Sequence, residues 1–219
     1  MRRFGGRPAA DPRAWQVASW LLRYPDERLL GGREELARAA AGLRDRRVRE
    51  PLTRFALGFA ADGDTRLLAE RWVETFERSR RTSLYMTWFT HGDTRGRGQE
   101  LLRLRKLYRA GGLPMESREL PDFLPVMLEF AGSAPDGYGA ALLHEHRAGL
   151  ELLRLALREA GSPYADVVDA VAATLGAPRE ADRARLEKLL RDGPPQEQVG
   201  VEPGAPPEVA GLAPEAAPR

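Results

Sequence analysis

Histidine spacing is the first feature of this sequence that bears on metal chemistry. His144 and His146 stand two residues apart, which on a helix turns their side chains about 200° away from each other. Zinc protease motifs instead place two histidines four residues apart on one helix face. The string His-Glu-His therefore predicts no metal site, and we expect both histidines to be exposed on a helix.

The third histidine, His91, precedes the glycine-rich sequence GDTRGRGQ at residues 92–99. A phosphate-binding loop would also need a lysine, a serine or threonine, and a position between a strand and a helix. As a nucleotide-binding signature the segment is therefore weak. Glycines that permit positive φ angles are typical of a tight connection between two helices. On the residues alone, we favour such a junction.

Nucleophilic catalysis has no recognisable set of residues in this chain. There is no cysteine, so disulfides, thiolate nucleophiles and cysteine metal ligands are ruled out. No serine stands in the glycine elbow that exposes a nucleophile. Most carboxylates lie three or four residues from an arginine, a pattern typical of solvated helix faces. We therefore expect a protein that is not an enzyme, with no catalytic residues, no metal and no cofactor.

The abundance of arginine raises nucleic-acid binding as an alternative. Residues 1–49 contain twelve arginines and six acidic residues, and phosphate backbones favour such patches. However, the formal charge of the whole chain is only +2. No helix-turn-helix, zinc-finger or aromatic RNA-binding pattern accompanies the arginines. A coding bias towards arginine, alanine, glycine and proline is the simpler explanation.

Helical periodicity and helix-capping residues organise the chain. Asp11 followed by Pro12 predicts the start of a helix over residues 13–23. Further helices are predicted at residues 33–43, 51–60, from Asp64 to Phe76, 82–90, 99–109, 139–160, 163–175 and 180–191. No alternating strand pattern with hairpin turns is present. The sequence therefore predicts an all-α fold, a single-domain helical bundle.

Prolines and one apolar run modify this pattern locally. Residues 82–90 are apolar around most of a helix circumference, which predicts a central, largely buried helix. Pro121 is predicted at a helix start. Pro125 lacks a backbone donor, so we expect it to loosen or kink the first turn of that helix.

The ends of the chain differ from its centre in composition. Residues 1–12 are predicted to be a flexible lead, residues 13–192 one helical domain, and residues 193–219 a disordered acidic tail that buries too little apolar surface to fold. Arg2 and Arg3 are not followed by the apolar stretch of an export signal. No apolar run approaches the roughly 18 residues of a membrane helix. We therefore expect a cytoplasmic protein.

Four motifs follow one another between Trp72 and Phe130: ETFERSRRTSL, HGDTRGRGQ, a LY..GGL helix end, and ELPDFLPVMLEF. In this order they resemble the NarJ family of nitrate reductase assembly chaperones. The resemblance extends over about residues 13–176 and is densest over residues 72–130. Some members of the family have a histidine where this chain has Phe123, so we expect no role that depends on that histidine.

The resemblance implies a helical fold shared with other redox-enzyme maturation chaperones. It also implies a partner, the catalytic (alpha) subunit of a respiratory nitrate reductase, whose N-terminal peptide such proteins contact until the molybdenum cofactor is inserted. No cofactor of its own, no nucleic acid and no direct membrane insertion are expected. One alternative is a chaperone for another molybdoenzyme, such as an N-oxide or sulfoxide reductase. An arginine-rich nucleic-acid-binding protein is the other.

A chaperone of this kind needs a groove for an amphipathic helix, with an apolar floor and a polar rim. The predicted floor residues are Tyr85, Trp88, Phe89, Phe123, Leu124 and Met127. The other predicted client-binding residues are His91, Asp93, Arg95, Arg97, Gln99, Pro121, Asp122 and Glu129. Methionines 86, 115 and 127 are adaptable fillers for such a surface. The alternative is that the aromatic residues form ordinary core and that the polar ones only lock the helix junction.

Overall fold

Helices make up the regular structure of the residues that can be described. The structure, a computed structural model, describes residues 10–115, 119–135 and 137–195. Within these ranges the helices are α1 Pro12–Leu21, α2 Glu27–Gly31, α3 Arg33–Ala41, α4 Arg46–Ala61, α5 Thr65–Phe76, α6 Met86–His91, α7 Arg95–Ala110, α8 Leu124–Ser133, α9 Tyr138–Glu145, α10 Arg147–Glu159, α11 Ala165–Thr174 and α12 Glu180–Asp192. The predicted all-α fold is confirmed. None of these helices is long and apolar enough to cross a bilayer.

The predicted ends of the chain lie mostly outside the described ranges. This applies to residues 1–9 of the predicted lead and to residues 196–219 of the predicted tail. The described part begins at Ala10, two residues before the first helix, and its last residue is Pro195.

Aspartate side chains start two of the predicted helices, as expected. Asp11 Oδ1 accepts a hydrogen bond from the backbone N of Arg13 at 3.1 Å, and Asp64 Oδ1 accepts one from the backbone N of Leu67 at 3.0 Å. Amides in the first helical turn have no partner within the helix, so a carboxylate at this position stabilises the helix start. Both predicted starts are confirmed.

The predicted start of a helix at Pro51 is wrong. Helix α4 begins at Arg46, after Asp45, whose Oδ1 accepts from the backbone N of Arg47 at 3.0 Å. The helix then continues through Pro51, although a proline inside a helix removes one hydrogen bond. The side chains of α4 that face the core are buried on both sides of the proline, and this packing holds the helix together.

The core is centred on α1. This helix packs against α8 and α11, α4 packs against α3 and α11, and α10 packs against α6, α11 and α12. Two tryptophans join the layers: Trp15 Nε1 donates to Thr174 Oγ1 at 2.9 Å, and Trp72 Nε1 donates to the carbonyl oxygen of Leu22 at 3.0 Å. These bonds satisfy indole donors that burial would otherwise leave unpaired.

The predicted helix over residues 82–90 forms only in part. Residues 83–85 are not helical, and α6 begins at Met86. Tyr85 forms an isolated antiparallel bridge with Phe123, and backbone hydrogen bonds of 2.9 and 2.7 Å flank it. We call this pairing the Tyr85–Phe123 bridge. The Leu84 carbonyl and the Met86 amide therefore bond to a distant segment, whereas the amides of Ser83 and Tyr85 are satisfied locally, by the Arg80 carbonyl and by Ser83 Oγ.

The start of α8 also differs from the prediction. The helix begins at Leu124 and not at Pro121, and Pro125 lies in its first turn. An amide in the first turn has no helical acceptor, so proline removes no hydrogen bond at this position. The expected loosening at Pro125 therefore has no cause in the hydrogen-bonding pattern.

The predicted helix over residues 139–160 is two helices, α9 and α10, which meet at His146. His146 is only 5% exposed, so the expectation that both histidines are exposed is wrong. The break between the helices turns His146 towards α7, where its Nε2 lies 3.8 Å from Oε1 of Glu100. Burial lowers the pKa of His146 to about 4, because the charged imidazolium is poorly solvated in the interior.

Candidate functional site

A buried carboxylate joins the two halves of the motif region. Asp122, whose side chain is 0% exposed, accepts hydrogen bonds from the backbone N of Thr87, at 3.3 Å, and from the Thr87 hydroxyl. Arg97 Nη2 lies 3.4 Å from the same carboxylate oxygen, and Arg97 Nε donates to Thr87 Oγ1 at 3.1 Å. A buried carboxylate is stable only when it is paired and hydrogen-bonded in this way. The contacts of Asp122 are therefore internal ones that fix its segment.

Two aromatic rings lie at the surface end of this cluster. The rings of Tyr85 and Phe123 are half-buried, with centroids 5.3 Å apart and planes inclined by 37°. The guanidinium of Arg97 lies 5.9 Å from the Tyr85 ring. Burial, with a smaller contribution from the nearby Glu119, raises the pKa of Tyr85. Its hydroxyl therefore remains protonated at neutral pH and can donate a hydrogen bond.

A groove of about 590 Å³ opens beside Phe123. We call it the α8 groove, because α8 forms one wall and the ends of α1 and α7 form the others. Its apolar lining consists of Tyr24, Trp72, Tyr108, Leu113, Pro114, Met115, Phe123, Val126 and Phe130. Its charged lining consists of Arg23, Asp26, Glu119 and Glu129. An apolar concavity with few polar groups is the usual form of a binding site.

The floor of the α8 groove is held rigidly. Trp72 is fixed by its hydrogen bond to the Leu22 carbonyl. The Tyr108 hydroxyl donates to the carbonyl oxygen of Pro121 at 2.5 Å, and the Tyr108 ring packs against Phe130 with centroids 4.6 Å apart. Side chains that are already ordered lose little entropy when a ligand binds. The floor is therefore preorganised for an apolar group.

The rim of the α8 groove combines exposed apolar surface with negative charge. Tyr24 is 47% exposed and Leu113 is 37% exposed, although both are large apolar residues. Arg23 Nη2 pairs with Glu129 Oε2 at 2.5 Å, which neutralises one of the acidic groups. Glu119 and Asp26 remain, so the described part of the rim carries a net negative charge. A partner with an apolar face and positively charged flanks complements this rim.

The structure places the predicted binding residues in different environments. Phe89, Leu124 and Met127 lie in the core. Phe123 and Glu129 line the α8 groove. Tyr85, Arg97 and Asp122 form the cluster beside it, and Pro121 is buried next to that cluster. Trp88 is half-buried under the guanidinium of Arg80, whose Cζ lies 4.9 Å from the ring centroid.

The remaining predicted residues lie at the junction of α6 and α7. His91 Nδ1 is 2.9 Å from Thr90 Oγ1, and Thr94 Oγ1 donates to the His91 carbonyl at 2.8 Å. Asp93, Arg95 and Gln99 are exposed there. Gly92 has a φ of +58°, a conformation that favours glycine. The expected helix junction is confirmed only over residues 92–94, because α7 begins at Arg95 and includes Gly96 and Gly98. These polar residues lie apart from the α8 groove.

Several residues of the α8 groove were missed by the sequence reasoning. Tyr24 lies in the segment between α1 and α2, and Trp72 lies in α5. Only the fold brings their rings together, with centroids 5.4 Å apart. Val126 and Leu113 gave no chemical signal of their own. Two of the sequence motifs did point to this groove, because LY..GGL includes Tyr108 and ELPDFLPVMLEF includes Phe123. Among the methionines noted as fillers, Met115 is the one that lines this groove.

Comparison with known proteins places this chain among relatives. A family model described as nitrate reductase delta subunit matches residues 34–170. The nitrate reductase-like protein NarX of Mycobacterium tuberculosis is 43% identical over 164 residues, which are 73% of this chain and 24% of NarX. The chain thus spans about a quarter of that relative. The nitrate reductase molybdenum cofactor assembly chaperone NarJ of Escherichia coli is 32% identical over 82% of this chain and 78% of NarJ.

A NarJ protein of Bacillus subtilis is also 32% identical, over 74% of this chain and 87% of its own length. Among solved structures, a redox enzyme maturation protein from Archaeoglobus fulgidus matches with a TM-score of 0.57. That match covers 80% of this chain and the whole of the other at 22% identity, so it concerns the fold. The family match and the length shared with the NarJ proteins lead to one conclusion: this chain belongs to the nitrate reductase delta subunit family.

Proposed function

We propose that this chain is a cytoplasmic assembly chaperone for a respiratory nitrate reductase. In this proposal it binds the catalytic subunit, including its N-terminal peptide, until the molybdenum cofactor is inserted and before membrane assembly. The α8 groove is the observation that carries the proposal, because it offers uncovered apolar surface with an acidic rim. Family membership and the similarity to the NarJ chaperones support the choice of client.

The shape and charge of the α8 groove favour an amphipathic helix over an extended strand. A helix presents anchors at positions i, i+3, i+4 and i+7 to such a groove, and a volume of about 590 Å³ accommodates a few large side chains. An edge strand is what an extended peptide would need, and the described residues contain only the isolated Tyr85–Phe123 bridge. A client helix with basic flanks would meet Glu119 and Asp26 at the rim.

The proposed mechanism is holding by differential affinity and needs no bond to be made or broken. The chaperone must bind the immature subunit more tightly than the mature one, because a binder with equal affinity for both states shifts nothing. Occupation of the α8 groove by the N-terminal peptide would keep that peptide from other partners. Release follows when the mature subunit offers the peptide a better site.

Calorimetry with a synthetic N-terminal peptide of the catalytic subunit from the same organism tests this proposal. We expect saturable binding that is weakened about tenfold, roughly 1.4 kcal/mol, by Phe123→Ser. Leu57→Ser is the matched control, since Leu57 is also apolar and exposed but lies on α4, outside the groove. It should leave the affinity unchanged.

Three further ligands separate the alternatives. A scrambled peptide should not bind. The corresponding peptide from an N-oxide or sulfoxide reductase should bind more weakly, and tighter binding of that peptide would identify a different client. A DNA duplex should not bind at physiological salt; salt-sensitive binding to DNA with no binding to peptide or to the whole apo-subunit would overturn the proposal.

A further inference from the structure

A row of cations lies uncovered on α7. Arg105, Lys106 and Arg109 are exposed, and Leu102, which is 59% exposed, lies among them. At about 100° per residue these four positions fall within one face of the helix. We call them the α7 basic stripe. The structure shows no ion pair or hydrogen bond between the side chains of these three cations and any other described residue.

The neighbouring face of the same helix is neutralised. Arg103 Nη2 lies 2.6 Å from Glu100 and 2.8 Å from Glu145. Arg105 and Arg109, by contrast, are four residues apart on one face, where like charges destabilise a helix. An anionic segment on the α7 basic stripe would relieve this repulsion.

The C-terminal part of the chain returns to the beginning of α7. Helix α12 ends at Asp192, and the backbone oxygen of Pro195 lies against Gly92, where a Cβ atom would be only 1.8 Å from it. Gly92 is buried and lies three residues before the first residue of α7, Arg95. The last residue that the structure describes therefore lies next to the N-terminal end of the helix that carries the stripe.

The charge and length of that segment match the α7 basic stripe. Residues 196–219 contain four glutamates and one basic residue, Arg219, a formal charge of −3. The seven residues from Pro195 to Glu202 span at most about 25 Å. The distance along α7 from Gly92 to Arg109 is also about 25 Å at 1.5 Å per residue. Glu202 can therefore reach the far end of the stripe, and the later glutamates can reach it with slack.

We infer that residues 196–219 bind the α7 basic stripe of the same molecule. Tethering raises the effective concentration of the segment into the millimolar range for a short flexible linker, so individually weak ion pairs are enough to keep it associated. The segment is rich in proline and glycine, and its binding needs charge proximity instead of one fixed conformation. The association shields the stripe from nucleic acid and other polyanions. It is independent of the client and of the α8 groove.

Paramagnetic relaxation tests this inference in the full chain. Because the protein has no cysteine, Ala205→Cys provides a single site for a nitroxide label. At low salt, we expect amide signals of residues 98–110 to lose more than half of their intensity, while those of α4 do not. In 1 M sodium chloride, where the Debye length is about 3 Å, the α7 signals should recover.

Two sets of substitutions locate the two partners of the contact. The loss of α7 intensity should disappear in Arg105→Glu/Lys106→Glu/Arg109→Glu. It should persist in Arg38→Glu/Arg46→Glu/Arg66→Glu, which changes the net charge equally on other helices. Should the α7 triple variant fail to fold, the variant Glu197→Gln/Glu202→Gln/Glu208→Gln/Glu215→Gln, which leaves every described residue unchanged, should abolish the effect instead.

Three outcomes would overturn the inference. The first is an unbroadened α7 in the unmodified chain at low salt. The second is broadening that persists in the α7 triple variant or in the glutamine variant. The third is broadening that grows with protein concentration in a mixture of spin-labelled and isotope-labelled chains, which would assign the contact to a second copy.

Discussion

Arg97 reaches back from α7 to Asp122, and its Nη2 atom lies 3.4 Å from Oδ2 of that buried carboxylate. The same oxygen is hydrogen-bonded by Thr87, so residues from three separate segments meet at one atom. Removal of Arg97 would leave the fully buried carboxylate without its charge partner. Removal of Asp122 would leave the buried amide and hydroxyl of Thr87 without their acceptor. The contact links HGDTRGRGQ and ELPDFLPVMLEF, two of the four motifs whose order first indicated the family.

Asp122→Ala should therefore destabilise the fold strongly. We expect the free energy of unfolding to fall by about 3 kcal/mol, as is typical when one partner of a buried pair is removed. Urea denaturation measures this quantity. Glu129→Ala is the control, because the Arg23–Glu129 pair is largely exposed and should contribute no more than about 1 kcal/mol. Equal small losses in both variants would refute a structural role for Asp122.

His146 should make the stability depend on pH. Burial lowers its pKa to about 4 from an unfolded value of about 6.5, so the unfolded chain binds more protons between these values. Stability is therefore full above pH 6.5 and decreases as the pH falls towards 4.

Between pH 7.5 and pH 5 we expect the His146 contribution to the free energy of unfolding to fall by about 2 kcal/mol. Urea denaturation across this range, in the unchanged chain and in His146→Gln, measures it. The free energy of unfolding should depend less steeply on pH in the His146→Gln variant. Burial also lowers the pKa of His144, so His144→Gln is the companion measurement. If the pH dependence of the free energy of unfolding persists in His146→Gln but disappears in His144→Gln, it arises from His144 and the prediction is wrong.

Two glycines with positive φ should respond differently to alanine. Gly92 and Gly112 have φ angles of +58° and +77°, so either substitution strains the backbone by about 1 kcal/mol. Only at Gly92 would the new Cβ also collide with Pro195. We expect Gly92→Ala, and not Gly112→Ala, to accelerate hydrogen exchange at Gly193, whose amide donates to Leu189. Similar hydrogen-exchange rates at Gly193 in both variants would show that Pro195 does not pack stably against Gly92.

Tyr24 should matter for binding more than for stability. It is half exposed at the rim of the α8 groove and touches Trp72 edge-on. Tyr24→Ala is expected to weaken the client peptide about tenfold, since aromatic anchors dominate such interfaces. Its unfolding free energy should change by less than about 1.5 kcal/mol, the value of an aromatic pair. A large loss of stability with unchanged affinity would move the binding site elsewhere.

Local chemistry was enough to predict much of the fold. The starts at Asp11 and Asp64 follow from side chains that cap a helix within three residues. The start at Pro51 was misplaced because proline favours a first helical turn, whereas the cap at Asp45 lies upstream and packing keeps the proline inside α4. Residues 83–85 look helical by composition, but they pair with a segment far along the chain.

The candidate site was less accessible from the sequence. Phe123 and Glu129 were expected to face a partner, and they line the α8 groove. Leu124 and Met127, from the same motif, point into the core because α8 has both a buried and an open face. The sequence around Tyr24 contains no motif that predicts a role in binding. Its position depends on how α1 meets α5, which hydrophobic periodicity alone does not specify.

The Tyr85–Phe123 bridge also bears on how quickly the chain folds. Thr87 and Asp122 are 35 residues apart, and the rest of α6 after Thr87 and all of α7 lie within the loop that their contact closes. Helical turns form within about a microsecond, whereas this loop must close before the carboxylate gains its partners. We expect the closure to belong to the folding transition state, so that Asp122→Ala slows refolding more than it speeds unfolding.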